Sequence, residues 1–384
     1  MVPLKVCLLS DAFPPDVGGL ARAVYRHGAN LARAGCQVHV VALSDRLPAG
    51  EVRVTVEDGQ TVHRLGRHSR VCDCLADWTE LAVSVGQRYD CPIYHGYFVA
   101  YAGFVAAYAA RLCGGRSVVS ARGNDLDRLA FDAQYAPFTF KALGWADAIT
   151  TVSTELRRKV QALSGRDDAI WIPNSVDTHL FQPCAPGGLS VLRESLSLSE
   201  KPIIGFVGEA RIKKGLPLLL RAFARIAPET GAQLLLVGGV REKDRPVLDV
   251  FQAQHPDLVV REIPYQPQAE LPPYYCLLDL AVFPSLRDGM PNALLEAMAC
   301  ARPAISTKVG GIVDVVTDGQ DGWLVPPRDE AALASCIRYA LDDAPARQQI
   351  GEAARRTVLA RFTSERELEA NLGLYRRLIG LQSA

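Results

Sequence analysis

Hydrophobic and polar residues follow one repeated pattern along most of the chain, in which short runs rich in valine, isoleucine and leucine alternate with longer amphipathic stretches. The short runs predict buried strands at Lys5–Ser10, Gln37–Leu43, Ser117–Ser120, Ala148–Val152, Ile203–Val207, Gln233–Val237, Leu280–Phe283 and Ala304–Ser306. The amphipathic stretches predict helices, for example at Leu20–Ala34, Tyr97–Cys113 and Leu216–Ile226. Strands that alternate with helices form parallel sheets with helices on both faces.

The alternation is interrupted between Ile172 and Pro202 by a segment rich in proline, glycine and serine. We therefore predict an α/β protein of two facing, Rossmann-like, doubly wound domains, with limits at residues 1–175 and 176–363. The last helical stretch, Ser364–Ile379, is expected to cross back with residues 364–384 onto the first domain. Ligands of such sheets bind beyond the carboxyl ends of the strands, so two such edges should line one cleft.

Composition narrows the class of protein. The 384 residues are 49% hydrophobic and 22% charged, which is typical of a globular protein large enough for two domains. Lysine plus arginine and aspartate plus glutamate both total 42, so no net charge favours nucleic acid or an anionic membrane as a partner.

Targeting signals and cysteines favour a cytoplasmic protein. The run up to Ser10 has no basic leader or small-residue cleavage site, so we interpret it as a strand rather than a signal peptide. No stretch reaches the roughly 18 apolar residues of a membrane span, and we expect at most peripheral membrane contact. The ten cysteines are scattered without a C-x-x-C pair, and only Cys72 and Cys74 lie close together. We expect reduced thiols and no metal site.

The first candidate binding loop is Phe13–Leu20, directly after the first strand, with Gly18 and Gly19 before a predicted helix. Paired glycines let the backbone approach a phosphate or a sugar, and a helix N-terminus offers unpaired N–H groups. A simple tight turn has the same sequence pattern. The loop is not a G-x-G-x-x-G fingerprint, which argues against a dinucleotide fold.

The second candidate is Gly205–Leu216, in which a strand is followed by glycine, a basic loop and a helix. Basic side chains at the carboxyl end of a strand can hold a diphosphate and stabilise its charge as it leaves. A solvated helix start is the alternative. It fits less well because the cations of Lys213 and Lys214 oppose the helix dipole.

The third and most specific candidate is Pro284–Ala299. Asp288 lies in a turn where it can accept hydrogen bonds from sugar hydroxyls, and Gly289-Met290-Pro291-Asn292 opens a helix whose N–H groups face an anion. Glu296 follows about one turn later, where a carboxylate can accept both hydroxyls of a ribose. In the alternative, Asp288 caps the helix and Glu296 is a surface acid, but Glu296 lies in an apolar stretch where a carboxylate needs partners.

Together these segments resemble retaining glycosyltransferase family four, whose GT-B architecture consists of two facing Rossmann-like domains. Members carry an acidic residue, seven intervening residues and a glutamate, a spacing met here by Asp288 and Glu296. The resemblance covers nearly the whole chain. It also includes the segments Pro14–Gly19, Ala146–Ser153, Ile172–Asp177 and Val309–Ile312.

The resemblance implies a role for each matched residue. Lys214 would contact the donor diphosphate, Asp288 the donor sugar and Glu296 the ribose. Gly18 and Gly19 would close over the diphosphate from the other domain. His95, within Ile93–Tyr97 and expected to follow a strand, would be the active-site histidine, although by itself it is more typical of a structural histidine.

Three positions depart from the family pattern. Glu209 stands where members usually have arginine, so we predict that Arg211 supplies the second catalytic cation. The first acid is Asp288 rather than the commoner glutamate. Where many members have a histidine before glycine, this chain has Ser120–Asp125, which makes Arg122, Asn124 and Asp125 candidates for acceptor recognition.

The resemblance implies hexosyl transfer from a nucleoside-diphosphate sugar to an acceptor hydroxyl, with retention and without a covalent intermediate, a metal or another cofactor. The donor phosphate would accept the acceptor proton, and motion near Pro173–Pro186 would close the cleft. The alternatives are a nucleotide-sugar epimerase and a silent binding scaffold. The acceptor is left open between a small molecule, a glycan and a lipid-linked compound. An aromatic stretch could line its groove, touch lipid or pack in the core, namely Phe131, Tyr135, Phe138, Phe140 and Trp145.

Overall fold

The computed structural model describes residues 3–381, which divide into two compact units. One unit comprises the chain up to Asn174 together with the segment that begins at Glu365, and the other comprises Ser175–Ser364. The predicted limits differ from this division by one residue at each boundary.

The first unit is built on a sheet of eight strands. These are β1 (Lys5–Ser10), β2 (Gln37–Ser44), β3 (Val52–Glu57), β4 (Gln60–Gly66), β5 (Ile93–Tyr97), β6 (Arg116–Ala121), β7 (Ala148–Thr151) and β8 (Ile170–Trp171). The strand order is β3-β4-β2-β1-β5-β6-β7-β8, and only the β3–β4 pair is antiparallel. The helices between them are α1 (Gly19–Arg33), α2 (Val71–Tyr89), α3 (Tyr101–Cys113), α4 (Asn124–Asp127), α5 (Ala136–Trp145) and α6 (Thr154–Ser164).

Strand β1 explains how this sheet forms a core on both faces. Its side chains alternate, so that Val6 and Leu8 pack into one hydrophobic cluster while Cys7 and Leu9 pack into another. All four are fully buried. The sequence of a strand that is covered on both faces is a continuous apolar run. The limits of β1 could be predicted for this reason.

The second unit is built on a sheet of six parallel strands. These are β9 (Ile203–Val207), β10 (Gln233–Val237), β11 (Val260–Ile263), β12 (Leu280–Phe283), β13 (Ala304–Thr307) and β14 (Trp323–Val325), in the order β11-β10-β9-β12-β13-β14. The helices are α7 (Leu189–Ser195), α8 (Leu216–Thr230), α9 (Arg245–Gln254), α10 (Leu271–Leu277), α11 (Asn292–Ala299), α12 (Ile312–Val315), α13 (Glu330–Asp342) and α14 (Ala344–Arg361). The order of the strands reverses between β9 and β12, which places the loops after these two strands side by side.

The last helix, α15 (Ser364–Leu378), returns to the first unit as predicted. Glu367 forms an ion pair with Arg26 of α1 at 3.2 Å, and the fully buried Tyr375 hydrogen-bonds to His27 at 2.8 Å. These contacts and the two parallel sheets confirm the predicted fold class.

The cysteines differ from the expectation that all are reduced. Cys184 and Cys276 form a disulfide with their Cα atoms 5.9 Å apart, which joins the segment before α7 to α10. The two residues are 92 positions apart in the sequence, so spacing gave no sign of the pair. The other eight cysteines are free.

The aromatic stretch is not uniformly core. Phe131 and Phe140 are 73% and 44% exposed, whereas Tyr135 and Phe138 pack against Tyr101 with ring centroids 4.7 and 5.3 Å away. No helix in residues 3–381 is long and apolar enough to cross a bilayer.

Candidate active site

Two of the predicted motifs meet at the carboxyl ends of β9 and β12. The chain leaves β9 and turns at Gly215, whose φ is +80°. A Cβ at Gly215 would lie 1.9 Å from the carbonyl oxygen of Pro284, so only glycine lets the two loops pack together. The Leu286 N–H donates to the carbonyl of Lys213 at 2.9 Å. Backbone contacts therefore fix the basic loop against the Asp288 loop.

The ammonium of Lys214 forms an ion pair with the carboxylate of Asp288. The Asp288 side chain is only 12% exposed and that of Lys214 is 29% exposed. The Ser285 hydroxyl also lies 3.4 Å from Asp288 Oδ2. The structure thus brings together the residues predicted to contact the diphosphate and the sugar, and the pair leaves each charge partnered before a ligand binds.

The segment Val309–Ile312 packs against the backbone of the Asp288 loop. The Gly311 N–H donates to the carbonyl of Gly289 at 2.7 Å. A Cβ on Gly310, whose φ is +53°, would lie 1.6 Å from the Asp288 carbonyl oxygen. Both glycines are needed for this close approach.

Helix α11 begins at Asn292, directly after the loop. Met290 is buried, and Pro291 precedes the first helical residue without a side-chain cap. The Oδ1 atom of Asn292 is buried without a hydrogen-bond partner among the described residues. The predicted anion contact of Gly289 to Asn292 stays a prediction. An α-helix leaves its first N–H groups without an i−4 partner, although here the Leu294 N–H donates to the Pro291 carbonyl at 3.2 Å.

Glu296 is not a surface acid. Its side chain is buried on α11, where Oε2 accepts a hydrogen bond from the Tyr275 hydroxyl at 2.7 Å and Oε1 accepts one from Gln268 Nε2 at 3.1 Å. Tyr275 is itself fully buried and packs edge-on against Phe181, with ring centroids 5.8 Å apart. Sequence reasoning missed both partners of Glu296, which lie in and before α10 and have no motif of their own.

Arg211 and Glu209 form an ion pair at the edge of the basic loop. The two side chains are 36% and 38% exposed. The Nε of Arg211 is buried without a hydrogen-bond partner among the residues the structure describes. Glu209 therefore holds the guanidinium in place, and the Nε–H of Arg211 is left unpaired in the described part of the chain.

This geometry leads to a first prediction. Replacing Arg211 by alanine should lower turnover about 100-fold, the usual effect of removing one preorganised charge contact. Replacing Glu209 by alanine should change turnover much less, because Glu209 touches the cation and would repel the diphosphate. Steady-state kinetics of both variants tests the ranking. If Glu209 proved indispensable and Arg211 dispensable, our assignment of this loop would be wrong.

In the first unit, the loop Phe13–Leu20 leads into α1, and its backbone at Gly18 is not covered by other residues. Gly18 has a φ of +149° and faces open space where a Cβ would stand. Arg64 Nη2 donates to the Pro14 carbonyl at 2.7 Å and anchors the loop to β4. The backbone at Gly18 and Gly19 is thus accessible, and their contact with a diphosphate stays a prediction.

The structure does not support a direct contact between His95 and a substrate. His95 lies in the middle of β5 rather than after a strand, and its side chain is 1% exposed. Its Nδ1 hydrogen-bonds to the Tyr375 hydroxyl at 2.6 Å and its Nε2 to the Ser120 hydroxyl at 2.7 Å. Burial lowers the pKa of His95 well below its usual value, with the neighbouring His27 adding to this effect, so the ring is neutral. This network joins α15 to the sheet.

Asp125 is likewise a structural carboxylate rather than an acceptor contact. It is fully buried and accepts N–H bonds from Arg122, Gly123, Val99 and Leu126 at 2.7–3.2 Å. Burial raises the pKa of Asp125, although these four donors act in the opposite direction.

The other two acceptor candidates differ in exposure. Arg122 lies 5.2 Å above the ring of Tyr97 and donates to Asn174 Oδ1 at 2.7 Å, while Asn124 is exposed. Asp127 follows Asp125 with one residue between, a spacing that could suggest a metal site, but it is paired with Lys159 at 2.5 Å. Asn124 is therefore the exposed candidate of this loop, and Arg122 is partly buried.

Two family models and several known proteins match this chain in sequence. A family model described as Glycosyltransferase Family 4 matches residues 17–180, and one described as Glycosyl transferases group 1 matches residues 201–343. N-acetyl-alpha-D-glucosaminyl L-malate synthase of Bacillus anthracis is 26% identical over 92% of both chains. Alpha-maltose-1-phosphate synthase of Mycolicibacterium smegmatis is 31% identical over 61% of this chain and 64% of its own length.

A solved structure shares the fold. Anabaena HepE in complex with UDP superposes with a TM-score of 0.80 over 97% of this chain and 100% of that chain, at 18% identity. The two matched families follow one another along the chain and include the Gly18 loop, the Lys214 loop and the Asp288 loop. The chain is therefore a glycosyltransferase and belongs to glycosyltransferase family four, the group 1 glycosyl transferases of GT-B fold.

Proposed function

We propose that the chain transfers a hexose from a nucleoside-diphosphate sugar to an acceptor hydroxyl, with retention of configuration and without a metal ion. The observation that carries this proposal is the Lys214–Asp288 ion pair at the carboxyl ends of adjacent strands, with Arg211 on the same loop. A diphosphate offers negative charge to Lys214 and Arg211 beyond that of their partners Asp288 and Glu209, and a sugar offers hydroxyls to the Asp288 carboxylate.

In the proposed reaction, negative charge develops on the leaving diphosphate. The bond between the sugar C1 and the donor phosphate oxygen breaks, and the acceptor oxygen bonds to C1 on the same face. The acceptor proton passes to a phosphate oxygen of the leaving diphosphate. Lys214 and Arg211 stabilise the negative charge on that diphosphate, and Asp288 orients the sugar through its hydroxyls. Glu296, whose carboxylate is held by Tyr275, positions the ribose.

The similarity to HepE, whose structure contains UDP, supports a nucleotide donor. The predicted cytoplasmic location stays a prediction. Eight free cysteines fit a reducing compartment, and the Cys184–Cys276 disulfide does not.

The test is a thermal-shift screen of the full chain with UDP-, GDP- and ADP-sugars, because a bound donor raises stability by mass action. One donor should raise the Tm of the wild type and raise that of the Lys214→Ala variant much less. NMR of the product formed with an accepted sugar then gives the anomeric configuration. Inversion, a dependence on added divalent cations, or conversion of the donor to an epimer without any acceptor would each contradict the proposal.

A further inference from the structure

A groove of about 990 Å³ runs between α2 and α3 in the first unit and opens to solvent. Its lining residues on α2 extend from Cys72 to Arg88, a stretch of helix about 24 Å long. The opposite wall consists of Phe104, Tyr108 and Leu112, which are four residues apart on α3 and so share one face. Spread over this length, the volume gives a cross-section of only about 40 Å². The groove is therefore long and narrow.

The deeper lining of the groove is apolar. Leu75 and Val83 of α2 lie there together with Phe138 of α5. Phe104 stacks on Trp145 and meets Phe138 edge-on, with ring centroids 5.8 and 5.1 Å apart, so the aromatic wall is well packed. The longer polar side chains that line the groove are exposed at its rim, namely Glu80, Gln87 and Arg88. This arrangement suits an apolar ligand, because few polar groups reach the bottom of the groove.

The groove begins at the carboxyl edge of the first sheet. Helix α2 follows β4, and Arg67 between these two elements donates to the Asp11 carbonyl at 2.9 Å. Asp11 itself follows β1 and precedes the loop that contains Gly18. Helix α3 likewise follows β5, which is parallel to β1. Ligands of such sheets bind at the carboxyl edge, so the groove leads away from the edge at which an acceptor would react.

The surface beside the groove has the composition of a membrane interface. Helices α3 and α5 contain no acidic residue. The cations of Arg111 and Lys141 lie 5.4 and 5.1 Å from the centre of the Trp145 ring, and Leu112 and Phe140 are exposed on the same two helices. We call these five residues the α3–α5 face. Aromatic side chains combined with lysine and arginine favour the boundary between water and an anionic bilayer.

We propose that the acceptor of the transferase is a lipid-linked compound, that its hydrocarbon chain binds in the groove, and that the α3–α5 face contacts an anionic bilayer. The inference rests on the proposed function, whose acceptor it assigns to one chemical class. A hydrocarbon chain is narrow and has no polar group that the groove would leave unsatisfied. A second copy of the chain fits less well, because an opening about 24 Å long and about 6 Å across is far smaller than the roughly 800 Å² per partner of a stable interface.

Sedimentation of the full chain with lipid vesicles tests the bilayer contact. The wild type should sediment with vesicles of phosphatidylcholine and phosphatidylglycerol but not with vesicles of phosphatidylcholine alone. Replacing both Arg111 and Lys141 by glutamine should weaken this binding about 30-fold. The matched control replaces Arg376 and Arg377 by glutamine, which removes the same charge from α15 on the other face of the sheet. It should sediment like the wild type.

Titration with dodecyl phosphate and butyl phosphate, followed by saturation-transfer NMR below the concentration at which micelles form, tests the groove. Dodecyl phosphate should bind at least about 100-fold more tightly, because each buried methylene adds affinity. Ala76 lines the groove from an exposed position, so Ala76→Trp fills the groove without displacing the core. This variant should bind dodecyl phosphate at least about tenfold more weakly. Ala76→Ser leaves the groove open and should bind like the wild type.

Equal affinity for the two phosphates, dodecyl phosphate binding that survives Ala76→Trp, or vesicle binding that survives the loss of Arg111 and Lys141 would overturn the proposal. A dimer in solution that Ala76→Trp dissociates would overturn it too, because the groove would then be an interface between copies. Donor binding is measured separately by thermal shift, and all these variants should retain it. A wild type without any donor shift would contradict the proposed function instead, whether or not the lipid probes bind.

Discussion

Replacing Lys214 by alanine is expected to lower turnover about 100-fold, the usual effect of removing one preorganised charge from the transition state. In the structure the Lys214 ammonium is paired with Asp288 and is held by a loop that packs on Pro284. Without it, Asp288 keeps a mostly buried charge that no cation balances, and the leaving diphosphate loses its nearest cation. Both losses act on the reacting end of the donor.

Steady-state rates with the donor identified by thermal shift measure this effect. Lys213→Ala is the matched control, because it removes the same charge one residue earlier. Its backbone carbonyl, which accepts from Leu286, is unaffected by the substitution. Since partly exposed ion pairs contribute about 0–1 kcal/mol to stability, Lys214→Ala should stay folded. Wild-type rates in Lys214→Ala, or an equal loss in Lys213→Ala, would remove Lys214 from the mechanism.

Strands that form continuous apolar runs could be predicted from the sequence, and strands interrupted by polar or exposed residues were missed. The limits of β1, β9, β10 and β12 agree with the predicted ranges because each is a continuous apolar run. Strand β3 was missed because it is an edge strand with exposed valines, among them Val56 at 75% exposure. Strand β5 was missed because Tyr94, His95 and Gly96 interrupt its apolar pattern.

At the candidate site, too, features marked by the local sequence could be predicted, and contacts between distant residues could not. The positions of Lys214 and Asp288 could be anticipated because glycine and proline mark both loops and both follow buried strands, but their ion pair was not predicted. The partners of Glu296 and the network around His95 depend on contacts between residues far apart in the chain. Tyr375 is 280 positions from His95, and no local pattern indicates that its hydroxyl would occupy one of the ring nitrogens.

The last prediction concerns the affinity for the free nucleoside diphosphate, which contains the ribose but no sugar. We expect Glu296→Gln to weaken this affinity about tenfold or more, because hydrogen bonds to a charged group contribute roughly 1.5–3 kcal/mol. Glutamine has nearly the same shape, so it avoids the cavity that Glu296→Ala would leave on the buried side of α11. Calorimetry with the diphosphate identified by the donor screen gives the two dissociation constants.

Two further variants separate ribose binding from support of the fold. Tyr275→Phe removes the 2.7 Å hydrogen bond to Glu296 but keeps the carboxylate, so its loss of affinity should be smaller than that of Glu296→Gln. His95→Ala should leave the affinity nearly intact, because His95 is buried in the first unit with both ring nitrogens bonded there. Its cost should appear instead as a lower Tm, since it removes one hydrogen bond from each of the buried hydroxyls of Tyr375 and Ser120. Equal losses of affinity in Glu296→Gln and His95→Ala would mean that Glu296 acts through the fold rather than on the ribose.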